Sequence, residues 1–346
     1  MRPPIGGRHP AWRAGRALTF LACAVAALAA LAGCTAGPPR VLPQGPGQGI
    51  DPDAAVAPSA GCTSAPYGEA QAPGTTSSIT LVSGGVTRRS LLSLPAAPSG
   101  DPGAGPRPAP LLVSLHPFTL DAPVWEGYSG LAEAATARGY VVLSPTGSDP
   151  GPRWAVPGGL ETGARDIEFV ADLVDHVAAT LCIDLNSVYA AGFSAGAAMA
   201  QALSCTMPWR FAAVAGSGGV NLTDLCPDSP PTDVLVLHGT VDPIAPPSGS
   251  VVPFAPPLGI PVDEVTDTNA ARAGCDQAPL ATQPAPGVEA RVFTGCDAQR
   301  RVEQWNMVGA GHTWAGAEPV PFDLVVGPTA TGFSANDVVL DFFDGT

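Results

Sequence analysis

The sequence predicts an α/β fold in which a mostly parallel sheet carries helices on both faces. Three observations indicate this fold. Apolar runs bounded by Gly and Pro recur along the chain, segments with helical periodicity separate them, and one run leads through a Gly-x-Ser-x-Gly turn into an Ala-rich helix. Residues 61–346 are long enough for one large domain with a substantial core.

The strands and helices follow from these runs in order. Residues 78–82 and 90–94 are predicted to open the fold as an antiparallel pair. The buried strands predicted after this pair are 111–116, 140–143, 187–191, 211–215 and 234–238. The predicted helices are 124–138, 164–181, 195–203, 262–273 and a final helix at 335–343. Residues 243–261 contain too much proline for either element and are predicted to form a loop over or beside the site.

The Gly-x-Ser-x-Gly turn nominates Ser194 as a nucleophile. A sharp strand-to-helix turn holds its serine in a strained, exposed position, and Gly192 and Gly196 remove side chains that would collide with neighbouring backbone. The alternative is a serine that only caps a buried turn. The same Gly-Phe-Ser-Ala tetrapeptide recurs later, where no apolar strand precedes it and Asn336 replaces the second glycine. Ser334 of that later copy is therefore predicted to cap the final helix.

An acid and a base follow the serine in the chain. Asp242 comes four residues after His238, which ends a predicted buried strand, and His312 closes a Gly-Ala-Gly-His stretch. The order Ser, Asp, His is the one expected of the α/β-hydrolase fold. We therefore predict that His312 takes the proton of Ser194 and that Asp242 orients the imidazole. The alternatives are a surface-loop histidine and an ordinary turn aspartate. His238 itself is predicted to pack or hydrogen-bond rather than to catalyse.

The amino terminus has the features of an export signal. Arginines precede a charge-free apolar run at residues 17–32, and small residues lead to Cys34. A retained transmembrane helix is the alternative. It is the less favoured one, because the run is shorter than the roughly 20 residues that cross a bilayer comfortably. The sequence Leu-Ala-Gly-Cys34 resembles the box of bacterial lipoproteins, which implies that Cys34 is acylated and anchors the exported protein to the outer face of the cytoplasmic membrane. We predict a lipoprotein signal peptide at 1–33, a tether rich in Pro, Gly and Ala at 34–60, and a catalytic domain at 61–346.

The composition argues against several partners. The formal net charge is −14, from 30 acidic and 16 basic residues. A surface this acidic repels phosphate backbones, so neither nucleic-acid binding nor attachment through a basic patch is expected. The five histidines are scattered and no Cys-x-x-Cys occurs, so neither a metal site nor a cofactor is predicted.

Cysteines beyond the signal and Cys34 are even in number, which in an exported chain favours disulfides over metal binding. They are Cys62, Cys182, Cys205, Cys226, Cys275 and Cys296. Cys182 precedes the strand that leads to the nucleophile and Cys205 ends the helix that returns from it, so the two are expected at one end of the sheet and are predicted to pair. Cys275 and Cys296 would close a loop that follows a helix. Cys62 is left to pair with Cys226.

Taken together, these residues resemble the exported α/β-hydrolases grouped with polyhydroxybutyrate depolymerases, feruloyl esterases and acetylxylan esterases. The resemblance runs from about residue 61 to the carboxyl terminus. It rests on the stretches 113–116, 165–182, 192–196, 238–242 and 311–314 and on the positions of Cys275 and Cys296. The chain departs from the family in two places. Pro117 stands where family members have Gly, and Ala315 stands where they have Pro.

The resemblance implies a site for ester hydrolysis, which needs backbone amides aimed at the developing oxyanion. Ala195 follows the nucleophile and is predicted to provide one amide. The resemblance places the second at Phe118. Pro117 has no amide hydrogen, but the amide of Phe118 is retained. His116 is predicted to order this loop.

Two tryptophans are predicted to line the substrate pocket, because a flat aromatic ring suits both sugars and polyester chains. They are Trp314, two residues past His312, and Trp154, for which core packing is the alternative. The expected activity is hydrolysis of feruloyl, acetyl or 3-hydroxybutyrate esters through an acyl-enzyme. An acyltransferase that uses the same triad on a cell-wall sugar and an inactive surface-binding protein are the alternative functions.

Overall fold

The computed structural model describes residues 50, 55–63, 72–96, 107–148, 152–159, 161–249, 259–318 and 323–345. The predicted signal peptide, Cys34 and much of the predicted tether lie outside these residues. Among the helices in the described ranges, none combines the length and the hydropathy that a bilayer span requires.

One ten-stranded sheet forms the centre of this part of the chain. Across the sheet the strands follow the order β1-β2-β4-β3-β5-β6-β7-β10-β9-β8. In chain order they are β1 Thr76–Ser83, β2 Val86–Ser93, β3 Ala109–Leu115, β4 Val141–Pro145, β5 Ile183–Phe193, β6 Ala213–Ser217, β7 Asp233–Gly239, β8 Leu280–Thr282, β9 Val288–Val292 and β10 Val302–Met307. The opening strands β1 and β2 are antiparallel to each other. The six central strands run parallel to one another; across the sheet they are β4, β3, β5, β6, β7 and β10. The predicted fold class is confirmed.

Helices cover both faces of this sheet. They are α1 Ala122–Ser129, α2 Leu131–Ala137, α3 Arg165–Thr180, α4 Ala195–Thr206, α5 Val262–Arg272, α6 Asp323–Val326 and α7 Ala335–Asp344, with short 3-10 turns at Ala60–Thr63 and Asp297–Gln299. One core cluster packs α3, α4 and α5 against one face, and a second packs α1, α2 and α7 against the other. Ser334 caps α7 as predicted, because its hydroxyl accepts a hydrogen bond from the amide of Asp337.

Two parts of the predicted element pattern were wrong. The helix predicted at 124–138 is two helices, because Gly130 has a φ of 64° and ends α1 in the left-handed region. The strands β8, β9 and β10 were missed. Only some of their residues are buried, and polar residues interrupt the apolar ones. A search for continuous apolar runs therefore does not detect them.

The carboxyl edge of the parallel strands collects the candidate site residues. β3 lies between β4 and β5, so the chain connections diverge there and leave a crevice at the strand ends. His116 directly follows β3, and Ser194 directly follows β5. Asp242 and His312 follow β7 and β10, which are parallel to the rest of this group and therefore end at the same edge.

The cysteine pairing differs from the prediction for four of the six cysteines. Cys275 joins Cys296 as predicted. The predicted pairs of Cys182 with Cys205 and of Cys62 with Cys226 were wrong, because the structure joins Cys62 to Cys182 and Cys205 to Cys226. The reason is a nonlocal contact: the segment before Cys62 lies against the start of β5, where the amide of Ser59 donates to the carbonyl of Ile183.

The same contact involves residues that precede the predicted catalytic domain. The amide of Ala57 donates to Asp184 Oδ1 at 2.8 Å, and the hydroxyl of Ser59 donates to the carbonyl of Leu181 at 2.8 Å. Ser59 is buried. Residues 57–59, which precede the predicted domain boundary at 60/61, therefore already contact the segment that leads into β5.

The new pairing predicts a difference in stability between two disulfides. Cys62 and Cys182 are 120 residues apart, whereas Cys205 and Cys226 are 21 residues apart. Because loop-closure entropy grows with loop length, replacing both cysteines of the first pair by Ala should lower the free energy of unfolding by about 5 kcal/mol, against about 3 kcal/mol for the second pair. Urea denaturation of the two double variants beside wild type measures this order. The reverse order would contradict it.

Candidate active site

The turn that carries Ser194 requires glycine on both sides. Ser194 has a φ of 56° and a ψ of −120°, a backbone conformation that residues other than glycine rarely adopt. A Cβ on Gly192 would collide with the carbonyl of Gly196, and a Cβ on Gly196 would collide with the carbonyl of Leu115. The strained turn is fixed by the hydrogen bond from the Ser194 amide to the carbonyl of Ser217 at 2.9 Å. The serine hydroxyl is thereby presented beyond the end of β5.

The three side chains predicted as a triad are in direct contact. The distance from Ser194 Oγ to His312 Nε2 is 2.9 Å, and that from His312 Nδ1 to Asp242 Oδ2 is 2.8 Å. The serine and histidine are only 8% and 9% exposed, and Asp242 is 3% exposed. Because a carboxylate oxygen only accepts, the proton between the second pair lies on His312 Nδ1. His312 Nε2 is then free to accept the serine hydroxyl proton.

The candidate acid, Asp242, is held by the turn that begins with it, residues 242–245, which we call the acid turn. Asp242 Oδ1 accepts hydrogen bonds from the amides of Ile244 and Ala245, both at 2.8 Å. These two amides leave Oδ2 directed at His312.

The candidate base, His312, lies on a loop that hydrogen bonds hold from several directions. The amide of His312 donates to the carbonyl of Val326 at 2.5 Å, at the end of α6. Two residues further on, the amide of Trp314 donates to the hydroxyl of Tyr128 at 3.2 Å, and the Trp314 indole donates to Asn336 Oδ1 at 2.9 Å. Asn336, whose presence distinguished the second Gly-Phe-Ser-Ala copy, therefore has a structural role. Its identity alone gave no indication of this contact.

The loop after β3, residues 116–120, lies against the start of α4, and we call it the oxyanion loop. A Cβ on Gly196 would approach the carbonyl of His116 to 2.8 Å, which shows how closely the two segments pass. Ala195 is the first residue of α4, where backbone amides have no acceptor within the helix. The side chain of Phe118 is 39% exposed. The segments that carry the two predicted amide donors thus adjoin each other at Gly196.

The imidazole of His116 is held in one tautomer, and its hydrogen bonds fix the oxyanion loop. The amide of Gly147 donates to His116 Nε2 at 2.9 Å, so Nε2 carries no proton. His116 Nδ1 lies 2.8 Å from the carbonyl of Pro117 and therefore donates to it. The carbonyl of His116 in turn accepts from the indole of Trp154 at 2.8 Å. Burial lowers the pKa of His116 to about 4, because a charged imidazole would lose its hydration there.

The lowered pKa of His116 predicts a pH-dependent loss of stability. The unfolded chain takes up the proton near pH 6.5 and the folded chain only near pH 4, so the stabilisation is complete above pH 6.5 and is lost as the pH falls toward 4. In His116→Gln, an amide oxygen replaces the Nε2 acceptor and the titration disappears. Between pH 7 and pH 4.5 this variant should lose about 2 kcal/mol less than wild type does. Urea denaturation at both pH values measures the difference, and equal losses would contradict the assignment.

A buried ion pair supports the same region and was not singled out as functional from the sequence. Arg88 on β2 contacts Asp166 on α3 at 2.5 Å, and both side chains are buried. Asp166 also accepts from the hydroxyl of Ser148 and the amide of Ala155, each at 2.7 Å. This carboxylate therefore connects Ser148 to Ala155, the residue that directly follows Trp154. The sequence pointed to Asp166 only through its position in the stretch 165–182, which contributes to the family resemblance.

The two tryptophans predicted to line the pocket lie in the interior, and this part of the prediction is corrected. Trp154 is 3% exposed and its indole contacts the ring of His116 at 4.6 Å between centroids. Trp314 is 1% exposed and packs edge-on against Trp125 at 5.2 Å. Both indoles therefore brace site loops. Exposed apolar side chains on the segments that carry site residues include Phe118 on the oxyanion loop, Val241 before Asp242 and Ile244 on the acid turn.

No group of three or more His, Cys, Asp or Glu side chains within the described ranges is arranged to hold a metal ion. The chemistry that the described residues offer is that of a serine hydroxyl, an imidazole and a carboxylate in series.

Comparisons with known proteins place this chain among esterases. A family model described as Esterase PHB depolymerase matches residues 95–279. The chain is 27% identical over 237 residues to feruloyl esterase B of Piromyces equi, which covers 65% of this chain and 42% of that protein. It is 29% identical over 292 residues to the NocK protein of Nocardia uniformis subsp. tsuyamanensis, which covers 78% of this chain and 83% of NocK. The chain thus spans less than half of the feruloyl esterase.

A solved structure shares the fold. The acetyl xylan esterase from Aspergillus awamori superposes with a TM-score of 0.51 at 18% identity, over 72% of this chain and 97% of that one. At this identity the likeness concerns the fold of the chain.

Proposed function

Because this chain belongs to the Esterase PHB depolymerase family, we propose that it hydrolyses carboxylic esters with Ser194, His312 and Asp242. The observation that carries the proposal is the continuous hydrogen-bonded series from Ser194 Oγ through His312 to Asp242 Oδ2, with links of 2.9 and 2.8 Å. A serine activated by an adjacent base, which is in turn oriented by a carboxylate, is the arrangement that nucleophilic acyl transfer requires.

In the first half of the reaction, Ser194 Oγ forms a bond to the ester carbonyl carbon while its proton moves to His312 Nε2. The carbonyl oxygen becomes an oxyanion. When the tetrahedral intermediate collapses, the bond to the alcohol oxygen breaks and His312 returns the proton to the departing alcohol. The acyl group remains on Ser194 as an ester. Asp242 stabilises the imidazolium that exists between these two proton transfers.

In the second half, a water molecule replaces the alcohol. His312 Nε2 takes a proton from this water as its oxygen attacks the acyl carbon, and the proton then passes to Ser194 Oγ as the acyl bond breaks. The carboxylic acid leaves and the starting hydroxyl is restored. Both halves use the same base and the same oxyanion position, so one geometry serves both.

The amides of Ala195 and Phe118 are the proposed oxyanion donors. Support comes from the position of Ala195 at the start of α4, where a helix amide lacks an internal acceptor and the helix dipole favours negative charge. Support for Phe118 comes from the three hydrogen bonds of His116 that fix the oxyanion loop. Pro117 contributes its carbonyl to this support, which needs no amide hydrogen.

We also propose an exported location with a lipid anchor at Cys34. The three disulfides among the described residues support the first part, because such bonds persist in oxidising compartments. The proposed anchor rests on the Leu-Ala-Gly-Cys34 sequence alone. Together they would leave the active site outside the cytoplasm, where polymeric esters are accessible.

The purified chain without residues 1–33 tests the proposed activity on three ester types: feruloyl, acetyl and 3-hydroxybutyrate esters. We expect acid release from at least one of them, and the ratios of kcat/KM identify the preferred acyl group. No release above that of the Ser194→Ala variant from any ester would overturn the proposed function.

A further inference from the structure

We propose that His238 is a positioning residue, which holds the acid turn so that Asp242 stays directed at His312. The inference rests on the proposed function, because it concerns the same triad. His238 is the second-last residue of β7, and Asp242 follows four residues later. The described contacts between the two place the histidine ring at the base of the turn.

The ring is bonded to the last residue of the acid turn. His238 Nε2 lies 2.7 Å from the carbonyl oxygen of Ala245. A carbonyl oxygen has no proton to donate, so the ring must be the donor and Nε2 must carry the proton. Ala245 also donates its amide to Asp242 Oδ1 at 2.8 Å. A single residue therefore connects the histidine to the acid by two hydrogen bonds.

The unused nitrogen of the ring indicates that this bond has a purpose beyond packing. His238 is fully buried, and its Nδ1 has no hydrogen-bond partner among the described residues. An unpaired buried polar atom destabilises the folded state, a cost that an apolar side chain would avoid. The other buried positions of β7 that share its side of the sheet are Val234 and Val236. A histidine in this apolar environment is explained by the donor it offers to Ala245.

The same N–H edge also lies near the carboxylate. His238 Nε2 is 3.7 Å from Asp242 Oδ2, beyond a normal hydrogen bond but close enough for an electrostatic contribution. Burial lowers the pKa of His238, so the ring stays neutral and acts through its N–H dipole. Since Oδ2 is not bonded to His238, it remains available to His312.

Removing the donor should misdirect the acid without removing it. The carbonyl of Ala245 would be left buried and unpaired, and the acid turn would shift to satisfy it. Both amides that orient Asp242 belong to this turn. A misplacement of about 1 Å can lower a rate by about 100-fold. The expected effect therefore falls on kcat, with KM nearly unchanged, because the histidine is placed away from the substrate.

Two conservative variants separate the donor from the ring. The amide nitrogen of Gln reaches about as far as Nε2 of His, whereas that of Asn reaches only as far as Nδ1. We expect His238→Asn to lower kcat by about 10- to 100-fold with KM within about twofold, and His238→Gln to stay within about threefold of wild type. Rates are normalised to active sites titrated with a fluorophosphonate, so that unfolded protein does not count. Should His238→Asn fail to fold, His238→Phe keeps the volume without a donor and is expected to show the same loss.

A double-mutant cycle with Asp242→Asn tests whether His238 acts through the acid. In that background, His238→Asn should change kcat by less than about twofold, because no carboxylate remains to be positioned. An equal loss in both backgrounds would overturn the inference, as would a donor-less variant with wild-type kcat. These results leave ester turnover by wild type intact, whereas a wild-type chain without turnover overturns the proposed function and this inference with it.

Discussion

Replacing Ser194 by Ala is expected to lower ester turnover by about 10⁶-fold. The reason is the loss of the proposed nucleophilic atom, Ser194 Oγ, which contacts His312 Nε2. Removing a methylene-bound hydroxyl leaves the turn itself intact, since its φ and ψ are held by Gly192, Gly196 and the hydrogen bond to Ser217. Initial rates on p-nitrophenyl acetate measure the loss. A residual rate within about 100-fold of wild type would remove Ser194 from its proposed role.

The chain contains a matched control for this variant. Ser334 lies in the second Gly-Phe-Ser-Ala copy and caps α7. Ser334→Ala should lower the free energy of unfolding by about 1 kcal/mol through loss of the cap. Turnover per folded molecule should stay at the wild-type level. Comparing the two variants thus shows whether activity depends on the tetrapeptide itself or on its position at the carboxyl edge of the sheet.

Replacing Asp242 by Asn is expected to lower kcat by about 10⁴-fold. The structure supplies the reason. One carboxylate oxygen accepts from the amides of Ile244 and Ala245, so an Asn at this position keeps its own oxygen there. Its NH₂ group then faces His312 Nδ1, which must give up its proton to accept a hydrogen bond. The proton moves to Nε2, and the ring is held in the tautomer that cannot take the proton of Ser194.

Asp184 provides the control for removing a carboxylate. Its Oδ1 also accepts two backbone amides, from Ala57 at 2.8 Å and Asn186 at 3.1 Å, but it lies at the opposite end of β5 from Ser194. Asp184→Asn should leave kcat within about twofold of wild type, with a modest loss of stability. Stopped-flow or steady-state rates of both variants on one ester make the comparison. Equal effects of the two changes on kcat would show that the loss in Asp242→Asn is structural.

The contact among Ser194, His312 and Asp242 could be predicted from the sequence because local signals single out these residues. Ser194 lies in a glycine turn between a strand and a helix, and Asp242 follows a run of buried strand residues. The parallel order of the strands then brings their carboxyl ends to one edge, which places distant residues together without further information. The role predicted for His116 in ordering the oxyanion loop agrees with its three hydrogen bonds.

Features that depend on long-range packing could not be predicted from the sequence. The disulfide between Cys62 and Cys182 depends on where the segment before β1 lies against β5, and spacing contains no information about that contact. The burial of Trp154 and Trp314 depends on their indole N–H partners, the carbonyl of His116 and the side chain of Asn336. An aromatic residue near a site suits a pocket wall and a buried brace equally well in sequence.

The ion pair between Arg88 and Asp166 illustrates the same limit. The two residues are separated by 78 positions, and each is an ordinary charged residue in its own segment. Only the fold shows that both are buried and that Asp166 anchors the loop holding Trp154. Charged residues are rarely buried without a partner, so the pair becomes recognisable once one of the two is known to be internal.

Covalent trapping with a fluorophosphonate tests the central claim most directly, because the reagent reacts with a serine only where a base activates it and an oxyanion can be stabilised. Intact mass and peptide mapping report the adduct and its position. We expect one adduct per chain on Ser194, no adduct in Ser194→Ala, and slow labelling in Asp242→Asn. An unmodified wild-type chain, or an adduct on a different residue such as Ser334, would contradict the account.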